Sequence, residues 1–89
     1  MQCSNYMKKK IRVTAENINN GIRLRCMHCP IALAAKEAGL DGAIVMNKFI
    51  VVPGYEQISL PPEATAFIRD FDIGEKVVPF SFTVEVRKI

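Results

Sequence analysis

Apolar and polar positions alternate near both ends of the chain and recur at helical spacing twice in between. Ile11 and Val13 alternate with Arg12 and Thr14, which predicts a short strand over residues 10–14. Thr14 is placed to cap a brief helical turn through Ala15-Glu16-Asn17-Ile18, and Asn20-Gly21 is expected to end it in the left-handed conformation. Ile22, Leu24 and Cys26 then share one parity against Arg23 and Arg25, as in an extended segment or a second edge strand. Pro30 suits the first position of a helix, where its missing N–H has no partner to lose. That helix runs to Ala38 and stops at Gly39, with Ile31, Ala34, Ala35 and Ala38 as a flat stripe that lets it sit close on a sheet.

Two apolar runs, 43–46 and 49–52, flank Asn47-Lys48 and predict a hairpin. After Pro53-Gly54, Ile58 and Leu60 put residues 55–60 in extended form. Pro61-Pro62 opens a second helix in which Ala64, Phe67, Ile68 and Phe71 recur at i, i+3, i+4 and i+7. Phe80, Phe82, Val84 and Val86 alternate strictly with Ser81, Thr83, Glu85 and Arg87, the clearest strand of the chain. The expected fold is α+β: a mostly antiparallel sheet of about four to five strands with two helices packed on one face. Residues 1–9 read as a basic N-terminal arm and residues 10–89 as a single α+β domain.

The chain has 89 residues, 49% of them apolar and 24% charged, which is the balance of one small globular domain and not of a disordered segment. No run approaches the ~20 apolar residues of a membrane span, and the start lacks the apolar core of a signal peptide, so residence in a host-cell cytoplasm and no membrane partner are expected. Charge is uneven: Lys8, Lys9, Lys10, Arg12, Arg23 and Arg25 face only Glu16 in the first 25 residues, a balance of +5, against −2 in the remainder. Such a cluster can contact phosphates, but a nucleic-acid binder usually shows a broader basic stripe and a readable motif. Neither is present. Nucleic acid is therefore disfavoured as a partner.

Cys26-Met27-His28-Cys29-Pro30 is the one dense cluster of reactive side chains, and three readings compete for it. Zinc would need Cys3, Cys26, His28 and Cys29 together, although His28 lies between two ligands and cannot easily turn toward the same ion. A thiol-redox site is suggested because Cys26-Met27-His28-Cys29, with Val52-Pro53, resembles the active-site elements of thioredoxin-like oxidoreductases. Against this, Pro30 starts the helix after the second cysteine and not the first. The structural reading makes Cys29 a residue near the helix N-cap and His28 a solvent-facing loop residue. It is preferred, so no metal and no cofactor is expected.

Other catalytic patterns are missing. His28 and Cys29 are adjacent and diverge, Asp70 and Asp72 do not share a helix face, and no glycine-rich loop follows a strand. The chain is read as a non-enzyme.

The stretch from Ile11-Arg12-Val13-Thr14-Ala15-Glu16 to Gly21, the run Cys29-Pro30-Ile31-Ala32-Leu33-Ala34, and the segments Phe67-Ile68-Arg69-Asp70-Phe71-Asp72 and Val78-Pro79-Phe80-Ser81-Phe82 together resemble small uncharacterised proteins encoded by tailed phages and prophages. The similarity spans roughly residues 11 to 86. It implies a genomic context in which small accessory proteins act by binding and modulating a host protein, including effectors of antiviral defence. The expected function is protein–protein binding to a host or phage protein, with a homo-oligomer as one form of it. A CxxC thiol-redox or zinc protein is the alternative, and a nucleic-acid accessory protein the weaker one. Because strand side chains alternate, Phe49 and Val51 (or Ile50 and Val52), with Ile44 and Met46 (or Ala43 and Val45), must face away from the helices. That open face, flanked by Lys8, Lys9 and Lys10, is the expected partner surface. The bland alternative is that the Tyr6 or the 22–26 segment covers it.

Overall fold

A computed structural model describes residues 6–89. Cys3 lies outside the described residues. The chain is α+β, with strands β1 (Tyr6–Val13), β2 (Ile44–Val45), β3 (Phe49–Val51), β4 (Ile58–Ser59) and β5 (Phe80–Arg87) and helices α1 (Ala15–Asn20), α2 (Pro30–Glu37) and α3 (Pro62–Asp72). All pairings are antiparallel, but the strands form two sheets where one was expected: a β1–β5 ribbon and a three-stranded β2-β3-β4 sheet. Among the described residues, backbone hydrogen bonds join them where the chain around Tyr55 meets the end of β5. There Tyr55 bridges Lys88, the Glu56 N–H donates to the Arg87 carbonyl (2.7 Å) and the Ile89 N–H to that of Gly54 (3.0 Å).

β1 begins four residues before the predicted strand, so Lys8, Lys9 and Lys10 belong to a sheet and not to an arm. Full-length pairing with β5 explains the extension: eight residues of β5 present a complete ladder, from Tyr6↔Arg87 to Val13↔Phe80. Directly opposed residues share a face. The inner face therefore carries Ile11, Val13, Phe82, Val84 and Val86, all buried, and the outer face carries Lys8, Lys10 and Arg12 opposite Glu85, Thr83 and Ser81.

Thr14 caps α1 through a reciprocal pair. Its Oγ1 accepts from the Asn17 N–H (3.1 Å), and its own N–H donates to Asn17 Oδ1 (3.0 Å). Asn17 is buried and also donates from Nδ2 to Glu37 Oε2 (3.0 Å), which ties α1 to the end of α2. The left-handed ending expected at Asn20-Gly21 does not occur, since Gly21 has φ −71°. Glycine is needed there for space. A Cβ at Gly21 would lie 2.6 Å from the Pro30 ring. α2 instead stops as predicted, with Gly39 at φ +96° and the Leu40 N–H reaching back to the Ala35 carbonyl (2.9 Å).

The core lies between the ribbon, α2 and the inward residues Val45, Ile50, Val52 and Ile58 of the second sheet. α3 adds Ala64 and Phe67, whose ring meets Phe80 at a centroid distance of 4.9 Å, while Ile68 and Phe71 are only half-buried at its margin. Residues 22–26 form no strand. The Ile22 N–H donates to the His28 carbonyl (2.8 Å), which closes 22–28 into a surface loop, and the Val45 N–H of β2 donates to the Cys26 carbonyl (2.9 Å).

Candidate functional site

The hairpin resolves the choice of parity that the sequence left open. Ile50 and Val52 are buried, with Val45 and Ala43, so Ile44, Met46, Phe49 and Val51 take the outward face. Ile44 opposes Val51, and Met46 and Phe49 flank the Asn47-Lys48 turn, where the Met46 N–H donates to the Phe49 carbonyl (2.8 Å). Met46 and Val51 are each 41% exposed, while Ile44 and Phe49 are half-buried. The 22–26 segment meets β2 at its edge and leaves Met46 and Val51 open.

That segment builds a second feature. The Leu24 N–H donates to Asp72 Oδ1 at the end of α3 (3.1 Å), and Lys36 Nζ donates to the Met27 carbonyl (3.0 Å). With the two bonds above, the loop is fastened to α3, α2, β2 and itself. Leu24 adopts φ +61°, the left-handed region that costs an L-residue about 1–2 kcal/mol, yet its side chain is 76% exposed. Nothing in the core requires a leucine there. Leu24 lines a cleft of about 250 Å³ together with Cys26, Cys29, Val45, Met46 and Ile68 and the charged Arg25 and Asp72.

The cysteines divide. Cys29 is buried and serves as the α2 N-cap, its Sγ accepting from the Ala32 N–H (3.4 Å). Burial pushes its thiol up from the ordinary 9.0, against the N–H groups of Ala32 and Ile31, which favour the thiolate. That is the reverse of an activated nucleophile. Cys26 and His28 are exposed, and Cys26, unlike the first cysteine of a thioredoxin-like site, caps no helix. Among the described residues no group of three or more His, Cys, Asp or Glu side chains gathers to hold a metal ion.

The three lysines also separate. Lys8 and Lys10 lie exposed on the outer face of the ribbon. Lys9 has the parity of Ile11, and its Nζ donates to the Ala38 carbonyl at the C-terminus of α2 (2.9 Å). Lys9 thus caps the end of α2. Among the described residues no helix is long and apolar enough to cross a membrane.

Leu24, Asp72 and Lys9 had no signature in the sequence. Leu24 reads as one more residue of an alternating run, and its role emerges only when a carboxylate 48 positions away captures its N–H. No family model, no curated protein and no solved structure matches the chain.

Proposed function

We propose that this chain is a protein-binding module without catalytic activity of its own, which presents the outward face of its β2–β3 hairpin to a host or phage protein. One observation carries the reading: the inward side of the hairpin is fully packed, yet Met46 and Val51 remain 41% exposed on the other side, next to Ile44 and Phe49. Contiguous apolar patches on small domains mark contact sites, and a few central apolar anchors usually supply most of the affinity. That Cys26, the first cysteine of the pair, is exposed and caps no helix weakens the redox alternative. The resemblance to phage-encoded proteins makes a bacterial host protein, including a defence effector, the first partner class to test.

Affinity capture from a bacterial lysate with wild type beside Met46→Glu and Val51→Glu tests the reading. Both variants should fold, because the new carboxylates point into water, and both should lose a protein that wild type retains. Retention of the same proteins by all three would refute it.

A further inference from the structure

The β1–β5 ribbon has one edge with no strand beside it. β5 meets the chain around Tyr55, whereas β1 pairs with β5 alone. In an antiparallel pair every second residue turns its N–H and C=O away from the partner strand, so β1 presents half of its backbone groups along the other edge. Among the described residues no backbone group outside β5 bonds to the main chain of residues 8–13. Beside that edge a groove of about 270 Å³ lies between β1 and α2, with Lys10, Arg12 and Thr14 on the strand side and Ala34, Glu37 and Ala38 on the helix side. The bond from Lys9 Nζ to the Ala38 carbonyl ties the two sides together.

Charge selects what can pair there. Lys8, Lys10 and Arg12 are exposed, occupy alternate positions of the outer face, and form no ion pair among the described residues. Residues on one face of a strand recur about every 6.8 Å. A second copy laid along β1 would bring its own Lys10 and Arg12 against these, and like charges directly opposite destabilise pairing. A nucleic-acid backbone fits less well, because Glu37 lines the groove, Glu85 stands opposite Lys8, and phosphates accept hydrogen bonds but donate none to the edge carbonyls. An extended peptide supplies both donors and acceptors. We propose that β1 adds a strand from a partner protein: an acidic segment whose alternate carboxylates face Lys8, Lys10 and Arg12 and whose intervening apolar residues turn toward Ala34 and Ala38. This edge is a separate surface from the hairpin.

Fluorescence anisotropy with a labelled synthetic peptide of alternating Glu and Val, matching β1 in length, tests it. The peptide should bind saturably with Kd below about 1 mM. A peptide of the same composition with its Glu residues in one block should bind at least about 10-fold more weakly. The double variant Lys10→Glu/Arg12→Glu should weaken binding at least about 10-fold with an unchanged circular dichroism spectrum, while Val51→Glu binds like wild type. Of two peptides N-methylated at alternate residues, the one blocked on the N–H groups that face β1 should lose binding and the other should keep it. Attraction between charges alone predicts no such difference. No binding of the alternating peptide, equal binding of the block peptide, equal effects of the two methylation patterns, unchanged binding by the charge-reversed protein, or tighter binding of a DNA duplex at about 0.15 M salt would overturn the inference. None of these outcomes touches the hairpin reading, which capture with the Met46 and Val51 variants decides.

Discussion

Replacing Lys9 by alanine, beside the same change at Lys8 and Lys10, asks whether three adjacent lysines do three equal jobs. Lys9 donates to the Ala38 carbonyl at 2.9 Å in a partly buried setting, across the end of α2. A hydrogen bond from a charged donor contributes about 1.5–3 kcal/mol, and water can partly replace it once the ammonium is gone, so the lower end applies. The half-buried stem, lying beside Ile11 on the inner face, adds a few tenths to 1 kcal/mol. Lys9→Ala should therefore cost about 2 kcal/mol in urea denaturation, equivalent to a fall in Tm on the order of 10 °C for a domain of this size. Lys8→Ala and Lys10→Ala should stay within about 0.5 kcal/mol of wild type. Lys9→Met, which keeps most of the stem, should recover part of the loss. Equal effects at all three positions would refute the assignment of Lys9 as a helix cap.

Gly21→Ala should cost about 1–3 kcal/mol, because its Cβ would sit 2.6 Å from the Pro30 ring, and thermal melts should show it although the backbone at that position tolerates alanine. Ile50→Glu should prevent folding, whereas Val51→Glu one residue on should leave the circular dichroism spectrum and Tm nearly unchanged. The raised pKa of Cys29 means that the folded state holds its proton longer than the unfolded chain does. Its contribution is then present below about pH 9 and falls as pH rises beyond it, and Cys29→Ala should remove this part of the alkaline loss of stability. In a Cys3→Ser background, one thiol (Cys26) should react at once with a disulfide reagent and the second only after denaturation.

What the sequence revealed follows from how local each signal is. The strict alternation from Phe80 to Val86, the stripe of α3, the Thr14 cap and the Pro30 start depend on neighbours within a few residues, and each was legible. Parity also reduced the hairpin to two choices, and burial of Ile50 and Val52 selected one. The signals that failed were set by partners far along the chain. Alternation over 22–26 looks like a strand, but Asp72 draws the Leu24 N–H away and the left-handed turn follows. Gly21 looks like a helix stop and is instead a space left for Pro30. Lys9 is indistinguishable from its neighbours until the register with β5 turns it inward.

A photo-crosslinking residue placed at Val51, and in a second protein at Thr83 on the outer face of the ribbon, gives the sharpest test of a binding hairpin. Irradiated in a bacterial lysate, the Val51 probe should yield one discrete adduct with another protein that unlabelled wild type competes away, while the Thr83 probe should yield none. Adducts of equal yield from both positions, or none from Val51, would contradict a partner surface on the outward face of β2 and β3.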